Sequence, residues 1–136
     1  MNPHVSVITL GVRDLEQAKQ FYGKGLGWPI EQDYPQWVSF KLGDGSTWLG
    51  LYPWEALAGD AGAPADGNGF RGVTLSYLVR SDERVAAVLA EAEAAGATIV
   101  KPAEPSPWGG ASGYFSDPEG YLWKVASGSG QQPFAE

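Results

Sequence analysis

The chain reads as an α+β fold of two tandem βαβββ modules forming a curved mixed sheet with a concave ligand cup. Three observations predict it. The stretch VITLGVRD at Val7–Asp14 is echoed by TLSYLVRS at Thr74–Ser81. Each stretch is followed by apolar residues at helical spacing, and each half then closes on a hairpin, Phe40 to Tyr52 and Tyr114 to Ala126. Self-similarity at this scale marks a duplicated supersecondary unit. A four-stranded sheet with a helix on one face leaves the other face uncovered, the natural place for a ligand.

Val5 to Val12 is dense in β-branched and apolar residues and reads as the first strand. Asp14 can cap a helix, with Gln17 three residues on as in a capping box. Leu15, Ala18, Phe21 and Tyr22 fall on one helical face, and Gly23, Gly25, Gly27 and Pro29 end it. A second strand is expected near Pro29 to Asp33. Trp37 to Leu42 and Thr47 to Tyr52 form a hairpin around Asp44-Gly45, a strong turn signal. Residues 54–71, rich in Gly, Ala, Asp and Pro, read as a linker with a helical turn at Trp54 to Leu57.

In the second half, Gly72 to Val79 is a strand. Ser81, Asp82 and Glu83 suit a helix N-terminus by capping and by charge. Val85, Val88, Leu89 and Ala92 form the buried stripe of that helix, and Gly96 ends it. Thr98 to Lys101 is a short strand, followed by an irregular loop to Gly110. Ser112 to Ser116 and Leu122 to Ala126 flank the turn Asp117-Pro118-Glu119-Gly120, and Ser127 to Glu136 reads as a mobile polar tail. The expected organisation is a single domain over 1–136: module one about 4–53, linker about 54–71, module two about 72–127 and tail 128–136.

Composition narrows the function classes. The chain has 136 residues, 43% hydrophobic and 18% charged, enough for one real core. Without cysteine there is no disulfide framework and no thiolate chemistry. The net charge of -7, with nine scattered basic residues, argues against a nucleic-acid partner. An acidic surface of this kind serves solubility or attracts a cationic ligand. No apolar run approaches the ~20 residues of a membrane span, and the first residues lack a basic-then-apolar leader. The expectation is a cytoplasmic protein with no membrane partner.

The βαβββ-βαβββ order, the Val-Arg-Asp-Leu and Phe-Tyr stretch, and above all Gly113-Tyr114-Phe115-Ser116-Asp117-Pro118-Glu119-Gly120-Tyr121-Leu122-Trp123 resemble the vicinal oxygen chelate superfamily. That group includes glyoxalase I, extradiol dioxygenases, fosfomycin-modifying thiol transferases and bleomycin-resistance proteins. The resemblance spans residues 5 to 126. It implies four metal-ligand positions, at the first and last strand of each half, filled in the metal enzymes by His, Glu or Gln. Those positions fall here on Val7, Gly50, Thr74 and Lys124. Val and Gly carry no donor, and Lys124 would set a positive charge beside a dication. His4, the one histidine, lies three residues early and on the opposite face of an alternating strand. No metal site and no cofactor are therefore expected.

Alternation assigns the cup lining. Ligand contacts are expected from Trp37, Ser39, Trp48, Tyr52, Thr74, Ser76, Tyr114 and Lys124, with Trp108 leaning over from its loop. Two readings of the aromatic residues stand, ligand stacking and plain packing or a dimer interface, and a one-residue slip in Thr47–Tyr52 would invert that strand. Lys124 reads either as a ligand anchor or as a snorkelling surface lysine. The resemblance implies metal-free sequestration of an aromatic or cationic small molecule, as in bleomycin resistance, by a homodimer. The competing expectation is a lyase, isomerase or dioxygenase using an unidentified metal site or acid-base work by Lys124 and Tyr114.

Overall fold

The computed structural model describes every residue except Asn68, Gly72 and Trp108. The chain divides into two units, Met1–Gly69 and Phe70–Glu136. Each contains the expected βαβββ module built on a four-stranded mixed sheet.

Module one runs β1 (Val7–Val12), α1 (Leu15–Gln20), a π-helical segment (Phe21–Gly25), β2 (Ile30–Tyr34), β3 (Trp37–Leu42), β4 (Thr47–Pro53) and α2 (Trp54–Ala61). The sheet order is β1-β4-β3-β2, with β1 parallel to β4 and the other pairs antiparallel. Asp14 caps α1 as its sequence position predicts, accepting the Gln17 N–H at 3.0 Å. The helix then widens, with the Leu26 N–H reaching back five residues to the Phe21 carbonyl. Phe21, Tyr22, Trp28 and Phe40 cluster behind the sheet in edge-on and tilted contacts. Phe21, Tyr22 and Phe40 are fully buried, as are Val38, Leu49 and Leu51. That burial fixes the phase of β4: Leu49 and Leu51 face α1, and Trp48, Gly50 and Tyr52 face away.

The expected helical turn at Trp54–Leu57 is a helix of two turns, closed at Gly62 by a left-handed residue. It is part of module one. A Cβ at Gly11 would lie 3.3 Å from both Trp54 and Leu57, so α2 covers the Gly11 end of the face opposite α1. Arg13 stacks 4.5 Å over the Trp54 ring.

Module two runs β5 (Thr74–Val79), α3 (Asp82–Ala95), β6 (Thr98–Pro105), β7 (Ala111–Ser116) and β8 (Leu122–Ser127), in sheet order β5-β8-β7-β6. Ser81 caps α3 through the Arg84 N–H, and Gly96 closes it. The helix lies close to the sheet at Gly113, where a Cβ would meet Leu89 at 2.6 Å and the Lys101 carbonyl at 2.8 Å. Phe115 and Trp123, directly opposed on β7 and β8, stack nearly parallel with centroids 6.0 Å apart. β6 extends four residues beyond the expected Lys101 end, through Pro102 and Pro105. It is an edge strand, where a missing N–H costs the ladder nothing.

The Asp117-Pro118-Glu119-Gly120 turn is held from within. Asp117 is buried, and its Oδ1 accepts the N–H groups of Glu119 and Tyr121, each at 2.9 Å. The most specific motif of the sequence is thus a structural turn.

The tail expected to be mobile is instead packed. The Gly128 and Ala135 N–H groups donate to the Val79 and Leu78 carbonyls of β5. Phe134 lies under the Arg80 guanidinium, and the Glu136 carboxylate pairs with Arg84 and accepts the Tyr77 hydroxyl. The Gly128 bond continues the β5–β8 ladder, and the Ala135 bond lies on the other side of β5, an edge that sheets otherwise leave open to pairing. Polar composition concealed this because its contacts reach back roughly fifty residues along the chain.

Candidate functional site

In each module the sheet face opposite its βαβββ helix carries the polar and aromatic residues singled out above. On module one, strand register lines up Thr9, Gly50, Ser39 and Gln32 in one row across all four strands. The outer edge of the Trp37 ring lies over the middle of this row. A Cβ at Gly50 would stand 2.1 Å from Trp37 Cη2 and 2.7 Å from Cζ3, closer than any real contact. The indole position therefore requires glycine beneath it. Gln32 holds it there: its Oε1 accepts the Trp37 Nε1–H at 2.9 Å and the Ser39 hydroxyl at 3.1 Å. Tyr52 meets the indole edge-on, centroids 6.1 Å apart. Ser39 is fully buried beneath this arrangement, so it supports Trp37 rather than presenting a surface, whereas Trp48 and Tyr52 remain half-buried.

On module two the corresponding row is Ser76, Lys124, Tyr114 and Lys101. Tyr114 and Lys124 are directly opposed on adjacent strands, both half-buried. Thr74 is exposed at the start of β5, opposite Leu122. Trp108 falls outside the described residues. Trp37, Ser39, Trp48 and Tyr52 thus share the open face of module one, and Thr74, Ser76, Tyr114 and Lys124 that of module two.

The four metal positions implied by the family resemblance can be tested against these side chains. Val7 is apolar and 40% exposed. Gly50 is sealed under the indole, where any donor side chain would collide with it. Thr74 offers a neutral hydroxyl and Lys124 a cation. His4 is exposed ahead of β1. Among the described residues no three His, Cys, Asp or Glu side chains come together as a cage. This donor set does not fit a divalent cation.

Two residues of these faces escaped the sequence reading, Gln32 and Lys101. Both follow a register shift. Ile30 opposes Phe40 on the helix side, yet Gln32 opposes Ser39 on the open side; the same happens between Ile99 and Lys101. Strict alternation puts residues two apart on one face, and a bulge breaks that rule. Only the polarity of Gln32 beside the apolar Ile30 hints at it.

Comparison with known proteins agrees with this architecture. Residues 4–125 match the family model of the Glyoxalase/Bleomycin resistance protein/Dioxygenase superfamily. No protein of curated function matches the chain. Among solved structures, a glyoxalase-related enzyme from Fulvimarina pelagi is 32% identical, covering 93% of this chain and 89% of its own, with a TM-score of 0.82. A lactoylglutathione lyase from Agrobacterium tumefaciens is 25% identical over 93% of this chain and 95% of its own, TM-score 0.68. A glyoxalase/bleomycin resistance protein/dioxygenase family enzyme from Burkholderia phytofirmans shares the fold at 21% identity, covering 91% and 98%, TM-score 0.78. The match over nearly the whole chain, and the paired βαβββ modules that carry it, make this protein a member of the Glyoxalase/Bleomycin resistance protein/Dioxygenase superfamily.

Proposed function

We propose that this protein binds an aromatic small molecule without covalent change and without a metal, in the manner of a sequestering resistance protein. The observation that carries the reading is Trp37 over Gly50. The indole fills the space where a metal-binding relative would need a donor, and it is braced by Gln32 and Tyr52. A ring held in one orientation loses little freedom when a flat ligand stacks on it, which favours binding. A homodimer belongs to this reading, and light scattering after size exclusion tests it.

Two measurements test the reading. Elemental analysis of protein purified without chelator or nickel resin is expected to give far less than one Fe, Mn, Ni, Co or Zn per chain. Stoichiometric metal sinks the reading. Calorimetric titration with a panel of bicyclic aromatics is expected to yield binders that Trp37→Ala weakens by about tenfold or more, the weight of one good ring contact with its buried area.

An enzymatic reading draws on a different observation. Tyr114 and Lys124 stand opposite one another on the open face of module two, where a phenol and an amine can share a proton relay. Two of the similar structures are described as a lyase and a glyoxalase-related enzyme. A lyase or isomerase activity that survives Lys124→Met with an unaltered pH profile removes this pair from consideration.

A further inference from the structure

Module two carries a groove of about 610 Å³ on the Lys124 face of its sheet. Leu78 and Ala126, cross-strand partners on that face, form its floor, and Ser106 and Gln132 also line it. Lys124 sits one row before this floor and Arg80 one row beyond it. Those two rows are four residues apart along β5, roughly 13 Å at strand rise, and both side chains are long enough to converge above the floor.

The charges of the groove run against those of the chain. Carboxylates outnumber cations sixteen to nine, and Lys19, Lys41, Arg84 and Lys101 each have a carboxylate in reach. Among the described residues, Lys124 and Arg80 have none. Arg80 stacks instead on Phe134, 4.2 Å from the ring centroid. A guanidinium stacked this way keeps its in-plane N–H donors for an anion. The one acid lining the groove, Asp82, is engaged with the Ser127 hydroxyl. That hydrogen bond leaves Asp82 charged, so the lining carries two cations against one carboxylate, and the net positive charge that remains favours an anion over the floor.

We propose that this groove binds an organic carboxylate, with its apolar body on Leu78 and Ala126 and its oxygens taken by Lys124 and Arg80. This goes beyond the reading above and reverses the cationic ligand that net charge alone suggests. It holds whether or not the Trp37 face binds a ring.

The test is a two-dimensional amide NMR titration of the full chain with three probes of one shape: 2-naphthoate, 2-naphthylmethanol and 2-naphthylmethylammonium. The naphthoate is expected to shift the Leu78, Ala126 and Gly128 amides and to bind about tenfold or more tightly than the alcohol, as charge-assisted hydrogen bonds allow. The ammonium should bind weakest. Lys124→Met and Arg80→Gln should each remove most of the preference, and raising salt should shrink it. Lys24→Met, outside the groove, should retain it. Equal affinity for all three probes, a preference that survives both variants, or no shift of these amides at millimolar naphthoate overturns the proposal. The Trp37 indole N–H signal reports separately on the aromatic face.

Discussion

Gln32 is the residue on which the open face of module one depends, because one carbonyl oxygen serves two donors. Gln32→Leu leaves the Trp37 Nε1–H and the buried Ser39 hydroxyl without an acceptor, at a cost of about 1–3 kcal/mol. Urea denaturation measures it, and in a Trp37→Phe, Ser39→Ala background the same substitution should cost much less. Asp117→Ala withdraws the acceptor from two N–H groups of the β7–β8 turn, with an expected loss of about 1–3 kcal/mol by the same measurement. These two residues differ in how legible they were. Asp117 sits in a motif whose spacing announces a turn. Gln32 lies past a bulge that changes the face of every residue after it, and the change from apolar Ile30 to polar Gln32 is the one local sign of that.

Among the elements, those with clean apolar periodicity were legible to within a residue or two. β1, α1, β3, β4 and β8 follow alternation or helical spacing closely. Elements set by distant contacts were not. β6 runs on through two prolines because its edge position forgives them, and α2 extends because β1 offers Gly11 as a seat. The strap over 128–136 has no apolar pattern at all, and its attachment combines two backbone hydrogen bonds, the Phe134–Arg80 contact and the charge pair at Glu136. The Tyr77 phenol is pushed up to about 12, first by burial and then by the Glu136 carboxylate it donates to. Glu136 is held below its ordinary 4.5, first by Arg84 and then by Tyr77. Above pH 10 the unfolded chain releases the phenol proton while the folded chain keeps it, so stability falls as pH rises towards 12. Below 4.5 the unfolded chain takes up the carboxylate proton first, so stability falls as pH falls. Thermal unfolding across this range should show both limbs, and Glu136→Gln should flatten the acidic one. An unchanged acidic limb in that variant would show that the strap is held by its backbone bonds and the Phe134 contact without help from Glu136.

At the scale of the whole chain, duplication gave the fold its plan and left the two halves chemically unlike. The first copy carries an aromatic face over a glycine, and the second a basic groove within an acidic protein. The family was legible because the turn motif and the module order are both local in sequence. The two faces were legible only as lists of alternating residues, since the contact that defines the first, an indole on a bare backbone, joins strands through register. That contact also constrains the routes by which such a chain could change. A carboxylate cannot be installed at position 50 while the indole is in place, because even a methyl group there collides. Either the indole swings aside or position 37 shrinks, and both strip Gln32 of one donor. A path towards a metal-binding descendant therefore passes through a destabilised intermediate, whichever step comes first. Built singly, Gly50→Glu should lower stability in urea denaturation, and the same change after Trp37→Ala should cost less.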